Sequence, residues 1–282
     1  MSEAYAFHEG PFGQAIVLES RTNLVAHSHT ESQVAFWLGG ARAKAQVGKD
    51  VVHYAEDVGV ATNAYQLHDM TLLEQNGTAV FLLLMISRDW LNEQRRTTGR
   101  PFLFPCPRVP IDDSLRKACW RLLNLLMTNS GSRALIDAEA ESLIGASVAA
   151  ATGSREAAAV RMLPPLLDHR LRAAISLMRD HVGGGISVED IAEKVGMSRA
   201  HFFMLFKEQL NTTPQVFWSA LRVEEAMRRL ISPKATLTDV AFDLGFSAPS
   251  NFSRFFKEHI GVSPSTFRRA AIGQFTAAQM TS

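Results

Sequence analysis

One pattern occurs twice in this chain. GMSRAHFFMLFKEQLNTTP runs from Gly196 to Pro214, and GFSAPSNFSRFFKEHIGVSP runs from Gly245 to Pro264. Each copy begins earlier still. Ser187-Val188-Glu189-Asp190 and Thr236-Leu237-Thr238-Asp239 share the form S/T-x-x-D, the signature of a capped helix start, at an offset of 49 residues. Gly196 matches Gly245 as a break after about two helical turns, and Ser198 matches Ser247 as a second N-cap. The second copy then gains one residue. Phe202, Phe206, Lys207, Leu210, Pro214 and Phe217 match Phe252, Phe256, Lys257, Ile260, Pro264 and Phe267 at an offset of 50. The phenylalanines recur at i and i+4, so each unit buries one stripe of its second helix. Two like units, each a short helix, a glycine turn and a second helix, are therefore expected in the C-terminal half.

Pro214 to Ile231 carries a helical pattern between the units, about 27 Å long at 1.5 Å per residue. A rod of that length holds two second helices roughly one turn of B-DNA apart, about 34 Å, so that both can enter successive major grooves. Charge leans weakly the same way: residues 166–282 carry 14 Lys/Arg against 11 Asp/Glu, and residues 1–165 carry 15 against 17. Val240-Ala241, Gly245, Ser247, Phe252, Phe256-Lys257, Gly261, Ser263-Pro264 and Phe267-Arg268 together resemble the DNA-binding domain of AraC/XylS-type transcription regulators, over residues 166–270. The resemblance implies a sequence-specific regulator that binds double-stranded promoter DNA, with RNA polymerase as a further partner. An activator fits this reading, and the sequence leaves repression open.

In the second unit the helix face opposite the phenylalanines carries Ala248, Pro249, Ser250, Ser253, Arg254 and Lys257. Arg254 falls where the family usually has a base-reading arginine, and a bidentate Arg–guanine contact is worth about 1–3 kcal/mol of discrimination. In the first unit the matching face carries Arg199, Ala200, Phe203, Met204 and Lys207. Met204 stands where the second unit has Arg254. An apolar face there either touches thymine methyls or is buried against a neighbouring element. Lys207, Lys257, Arg268 and Arg269 are expected phosphate contacts, which supply affinity rather than sequence.

The first 86 residues read as β. QAIVLE, QVAFWL and VFLLLMI are separated by turn signals, and Asn76-Gly77 between apolar runs is a strong hairpin signal. His27-Ser28-His29 precedes a strand and His68 follows about forty residues later. This segment resembles a cupin barrel, in which such histidines can bind metal, and the effector domain of many AraC-type regulators. In the latter the resemblance implies a small organic effector without metal. His27, His29, Trp37, Tyr65 and His68 are candidate effector-lining residues; no metal and no cofactor are expected. The acidic ligand of the cupin pattern would fall at Gln33 or Val34, although Glu31 is near.

From Ser87 the periodicity turns helical. Prolines 101, 105, 107 and 110 mark a loop, and Ser114–Met127 and Ala138–Ala151 form a helical pair with wide apolar stripes. A stripe left uncovered implies a homodimer. The expected plan is α+β with two domains: a cupin-like sensory β-barrel (1–86), a helical dimerisation hairpin (87–151), a linker (152–165) and an all-α tandem helix-turn-helix domain (166–272). Two cysteines, Cys106 and Cys119, are too few for a disulfide scaffold. With no secretion signal or membrane span in view, a reduced cytoplasmic setting without membrane contact is expected. The rival function is a metal-dependent cupin enzyme with a helical appendage. Against it stands the absence of any nucleophile–base motif or phosphate loop.

Overall fold

The structure is a computed structural model that describes residues 3–98, 102–128, 130–153, 168–210, 212–232 and 235–270. The N-terminal part is rich in sheet and the C-terminal part is helical. Strands β1 (Glu3–Gly10), β2 (Gly13–Ser20), β4 (Ser32–Gly40), β7 (Val58–Thr62), β9 (Ala79–Ile86) and β10 (Arg108–Pro110) form an antiparallel six-stranded sheet in the order β1-β2-β9-β4-β7-β10. Strands β3 (Leu24–His27), β8 (His68–Leu72), β5 (Ala43–Val47) and β6 (Asp50–His53) form a second antiparallel sheet in that order.

The run AVFLLLMI of β9 is apolar throughout because both of its faces are covered. Leu82, Leu84 and Ile86 face one core, while Phe81 and Met85 face another. In β2, Ala15 and Val17 share the first core with them, and Ile16 and Leu18 share the second, as the two-residue period of a strand requires. The first core is capped by α2 (Asp113–Thr128) and α3 (Arg133–Thr152), which pack as the expected pair. Leu122 and Leu143 are fully buried there. Most of the width of their apolar stripes is thus spent on the sheet, and the large apolar residues left in solvent are Trp120, Met127 and Leu135.

Two local expectations give way. Asn76 does take a positive φ of 56°, but Gly77 is not among the positive-φ glycines, and the strands on either side do not pair. The turn carries the chain from β8 in the small sheet to β9 in the large one. Asn-Gly reports a tight turn; whether the flanking strands pair depends on where their apolar faces find cover. The proline-rich loop also yields β10, which pairs with β7 and so extends the sheet beyond residue 86. Helix α1 (Arg88–Thr98) begins as expected after Ser87. The expected linker lies, from residue 154 on, outside the described residues.

The C-terminal half comprises α4 (His169–Asp180), α5 (Val188–Lys194), α6 (Arg199–Leu210), α7 (Pro214–Leu230), α8 (Leu237–Asp243) and α9 (Pro249–Ile260), with residues 264–270 again helical. Ser187 with Asp190, and Thr236 with Asp239, make complete capping boxes at the starts of α5 and α8. Gly196 and Gly245 both turn with positive φ, 69° and 79°. The second helices start differently. Ser198 accepts from the His201 N–H at 3.3 Å at the start of α6. The additional residue of the second unit moves the α9 N-cap to Ala248, which has no side-chain cap, and Pro249 takes the first turn. Ser247, expected as a cap, accepts instead from the Asn251 side chain at 3.0 Å.

Both units rest on the sheet domain. Tyr65, in a loop of that domain at φ 66°, packs on Phe217 of α7 with ring centroids 4.6 Å apart and joins the core of the first unit. Phe7 of β1 meets Phe267 edge-on at 5.4 Å, and the core of the second unit runs continuously into the interior of the sheet domain.

Candidate nucleic-acid interface and histidine pocket

Each second helix buries its phenylalanines and turns the opposite face to solvent. In α9, Phe252 and Phe256 are fully buried, Ser250 and Arg254 are exposed, and Ala248, Pro249, Ser253 and Lys257 are half-buried. The Arg254 guanidinium donates to Asn251 Oδ1 at 3.3 Å, a long bond that leaves most of its donor fork facing outward. In α6, Phe202, Leu205 and Phe206 are buried, while Arg199, Ala200, Met204 and Lys207 are exposed. Met204 is half exposed, so it is not packed against a neighbouring element. Phe203 is partly covered by Arg199, whose guanidinium carbon sits 4.8 Å above the ring. Arg199 also pairs with Glu189 at 2.7 Å. The two faces thus differ in chemistry: one presents an outward arginine, the other a methionine beside a capped ring.

Arg268 was expected among the phosphate contacts. Its guanidinium instead donates to the backbone carbonyls of Leu230 and Ala235. It closes the C-terminal end of α7, whose last carbonyls lack helical partners. Arg269 is exposed.

The second site lies inside the sheet domain. His27, His29 and His68 are all buried, and one ring nitrogen from each lies within 4.8 Å of the others. Their ring centroids are 4.3 to 6.0 Å apart. His27 and His68 are register partners across the β3–β8 pair, which brings residues 41 positions apart together. Each Nδ1 is held by a backbone carbonyl: Val25 for His27 at 2.7 Å, Glu31 for His29 at 2.7 Å and Gln66 for His68 at 2.8 Å. A neutral imidazole has one N–H, so these contacts place it on Nδ1 and leave Nε2 with a lone pair. Burial disfavours the imidazolium form of all three, and takes His27 down to about 3. Gln33 stands between them, its amide 2.9 Å from His29 Nε2 and 3.2 Å from His68 Nε2.

Ile16, Leu18, Tyr54, Met70, Phe81 and Met85 complete the walls from the sheet domain. The C-terminal half closes the pocket with Met227 of α7 and His259 and Ile260 of α9. The His259 ring lies 5.9 Å from that of His27. Residues two hundred positions apart carry no mutual sequence signal, so His259 escapes a reading based on spacing. Trp37 and Tyr65, expected in the same lining, are elsewhere. The Trp37 indole donates to the Ala41 carbonyl at 3.1 Å, and Tyr65 is built into the first helical unit. Neither lines the pocket, because Trp37 is followed by a bulge in β4 and Tyr65 sits in a left-handed turn.

A larger cavity of about 360 Å³ opens between the two halves. Thr30 and Glu31 from the sheet domain, Arg88 from α1, Arg179 from α4 and Glu224 from α7 line it. Arg88 and Arg179 both donate to the Tyr65 hydroxyl, at 2.8 and 3.0 Å, and Thr30 donates to Glu224. Burial raises the Glu31 and Glu224 carboxyls above the usual range.

Comparison with known proteins adds three findings. Residues 191–270 match the family described as "Helix-turn-helix domain". The chain is 31% identical over 97 residues to the raffinose operon transcriptional regulatory protein RafR of Pediococcus pentosaceus, covering 34% of this chain and 35% of that one. It is 29% identical over 104 residues to the HTH-type transcriptional activator RhaS of Escherichia coli, covering 37% of each. The chain thus spans about a third of the length of the curated relatives it matches. Across nearly its whole length it is similar in fold to ToxT of Vibrio cholerae: the apo form gives a TM-score of 0.61 at 11% identity, covering 91% of this chain and 97% of that one. A ToxT structure described as bound to an unsaturated fatty acid gives 0.60 at 13% identity, covering 97% and 96%.

Proposed function

We propose that this chain, whose residues 191–270 form a helix-turn-helix domain of the AraC/XylS type, is a ligand-responsive regulator that reads promoter DNA with α6 and α9. The observation that carries the reading is the matched pair of second helices, each with a buried phenylalanine stripe and an outward face, at the two ends of α7. At 17 residues α7 is about 26 Å long, a span that suits two successive major grooves. Arg254 is the base-reading arginine, Met204 the counterpart that favours thymine methyls, and Lys207 and Lys257 are phosphate contacts. Footprinting on the chain's own promoter region tests this. Arg254→Ala should weaken cognate binding by about 1–3 kcal/mol and relax preference at one base position. An equal loss on cognate and scrambled duplexes would make Arg254 a phosphate contact.

The effector site that fits best is the cavity between the halves. Its volume falls within the usual range of ligand pockets, and walls from both halves let occupancy bias how they sit together. The related fold of ToxT, described with a bound unsaturated fatty acid, supports a small-molecule effector in general. The acidic and basic groups here favour a small polar effector over an aliphatic chain.

A homodimer remains part of the reading, with a changed contact. Leu122, central in the apolar stripe of α2, is fully buried under the sheet and is not open to a partner. Trp120 and Met127, exposed at 55% and 51% on one side of α2, replace it, and Leu135 of α3 is exposed as well. Recruitment of RNA polymerase follows from the activator reading and is tested by transcription in vitro.

A further inference from the structure

We infer that Asn251, itself held by Ser247, is a positioning residue for Arg254: it fixes the guanidinium before DNA arrives, so that base preference at the second recognition helix is set by residues behind the one that reads. The inference rests on the reading of Arg254 as the base-reading arginine and adds what aims it.

The geometry is a short relay from the turn before α9 into its first two turns. Asn251 Nδ2 donates to Ser247 Oγ at 3.0 Å, and the Arg254 guanidinium donates to Asn251 Oδ1 at 3.3 Å. Asn251 and Arg254 are three residues apart, a spacing at which helical side chains meet. The order of donors fixes the amide. A guanidinium only donates, so the oxygen of Asn251 must face it. The NH₂ end is then left for Ser247, whose hydroxyl can accept. Ser247 is available because of the added residue in the second unit. In the first unit Ser198 is spent as a cap on the His201 N–H. In the second the cap position falls to Ala248, and Pro249 starts the helix without an N–H. The hydroxyl displaced from capping holds the amide instead.

The first unit has no counterpart to this relay. His201 and Met204 stand where the second unit has Asn251 and Arg254, so the relay occurs in the unit that has an arginine to aim. The chemistry of the partner matters as well. Arg199 of the first unit is paired with the Glu189 carboxylate at 2.7 Å. Arg254 makes no ion pair among the described residues, and its hydrogen bond there is to a neutral amide. An amide orients a guanidinium without cancelling its charge, so Arg254 keeps its attraction for the phosphate field. It also loses beforehand the rotamer freedom that binding would otherwise freeze, which is worth roughly two- to tenfold in affinity for one long side chain. The single long bond leaves the other N–H groups of the fork for a base edge.

The test uses the full chain and a duplex that it selects from a random-sequence pool, with each base pair of the selected site then varied in turn. Asn251→Ala should bind the selected duplex roughly two- to tenfold more weakly. It should flatten the preference at the same base pair that Arg254→Ala flattens and leave the other positions unchanged. Ser247→Ala should do the same to a smaller degree, and Ser247→Thr, which keeps the hydroxyl, should restore the parent profile. In the Arg254→Ala background Asn251→Ala should cost nothing further, because a residue that acts through the arginine then has nothing to aim. Circular dichroism and affinity for a scrambled duplex should match the parent in the Asn251 and Ser247 variants, which separates aim from folding. Additive losses in the double variant would make Asn251 a DNA contact in its own right and overturn the relay, as would a parent-like base profile in Asn251→Ala. If Arg254→Ala itself leaves every base preference intact, the reading of Arg254 falls and the relay with it.

Discussion

Three glycines of the helical half separate two physical costs that are usually confounded. Gly196 turns at φ 69°, and a Cβ added there would meet nothing within 4 Å. Gly183 has no positive φ, but its Cβ would lie 2.3 Å from the Asp243 carbonyl oxygen. Gly245 carries both burdens: φ 79°, and a Cβ 2.3 Å from the Gly183 carbonyl oxygen. The left-handed conformation costs an L-residue about 1–2 kcal/mol, part of which the stiffer unfolded chain offsets. Forcing a methyl against a backbone carbonyl costs about 1–3 kcal/mol. Gly196→Ala should therefore lose about 1 kcal/mol, Gly183→Ala about 1–3, and Gly245→Ala about 2–4, the sum of the two terms. Urea unfolding of the full chain, followed by circular dichroism, ranks the three midpoints. Hydrogen exchange of the α5–α6 and α8–α9 segments assigns each loss to its unit. Gly183 and Gly245 crowd the same gap, so the double variant should cost less than the two singles added. Equal losses for Gly196→Ala and Gly245→Ala, or none for Gly183→Ala, would refute the reasoning.

Other substitutions test the contacts between the halves and the two faces left in question. Tyr65→Ala should cost about 3–5 kcal/mol, as for a core aromatic, although Tyr65 sits in a loop; faster exchange in α4 and α7 would locate the loss, and an unchanged exchange pattern would argue against the anchor. Trp120→Glu should turn a dimer seen by light scattering into a folded monomer, and a parent that scatters as a monomer at micromolar concentration would remove the dimer. Burial pushes the Cys119 thiol up to about 12, so the thiolate is scarce at pH 8 and alkylation there should wait for unfolding; rapid labelling of Cys119 in the folded chain would contradict its packing.

The repeat was legible because helix caps and turn glycines act locally. Ser187, Thr236, Gly196 and Gly245 perform in the fold what their residue types permit in any chain. The added residue in the second unit was also visible, but its effect on capping was not. Ala248 became the N-cap because Pro249 starts a helix without needing a donor partner, a local competition that matching Ser247 to Ser198 overlooked. The three histidines were recognisable as a set through their resemblance to a cupin pattern, although His68 lies 41 positions from His27. His259 was not, because only the docking of α9 on β3 brings it there. Trp37 and Tyr65 both have residue types that line pockets, but Trp37 is held locally by the Ala41 carbonyl and Tyr65 by Phe217, far along the chain. Arg268 shows the remaining limit. A basic residue in a DNA-binding half reads as a phosphate contact until the carbonyls it closes are seen.

Tyr65 has a consequence for building chimaeras from this protein. Helix-turn-helix domains are often treated as portable parts, to be cut at the linker and joined to a different sensor. Here the aromatic plug of the first unit belongs to the sheet domain, and Phe7 of that domain supports Phe267 of the second. A graft made at the linker would leave a socket beside Phe217 and an uncovered edge at Phe267. Such a hybrid should be soluble and stable only if the donor sensor supplies a ring at the place of Tyr65 and an apolar contact at the place of Phe7. The practical unit of exchange is the helical half together with those two matched surfaces.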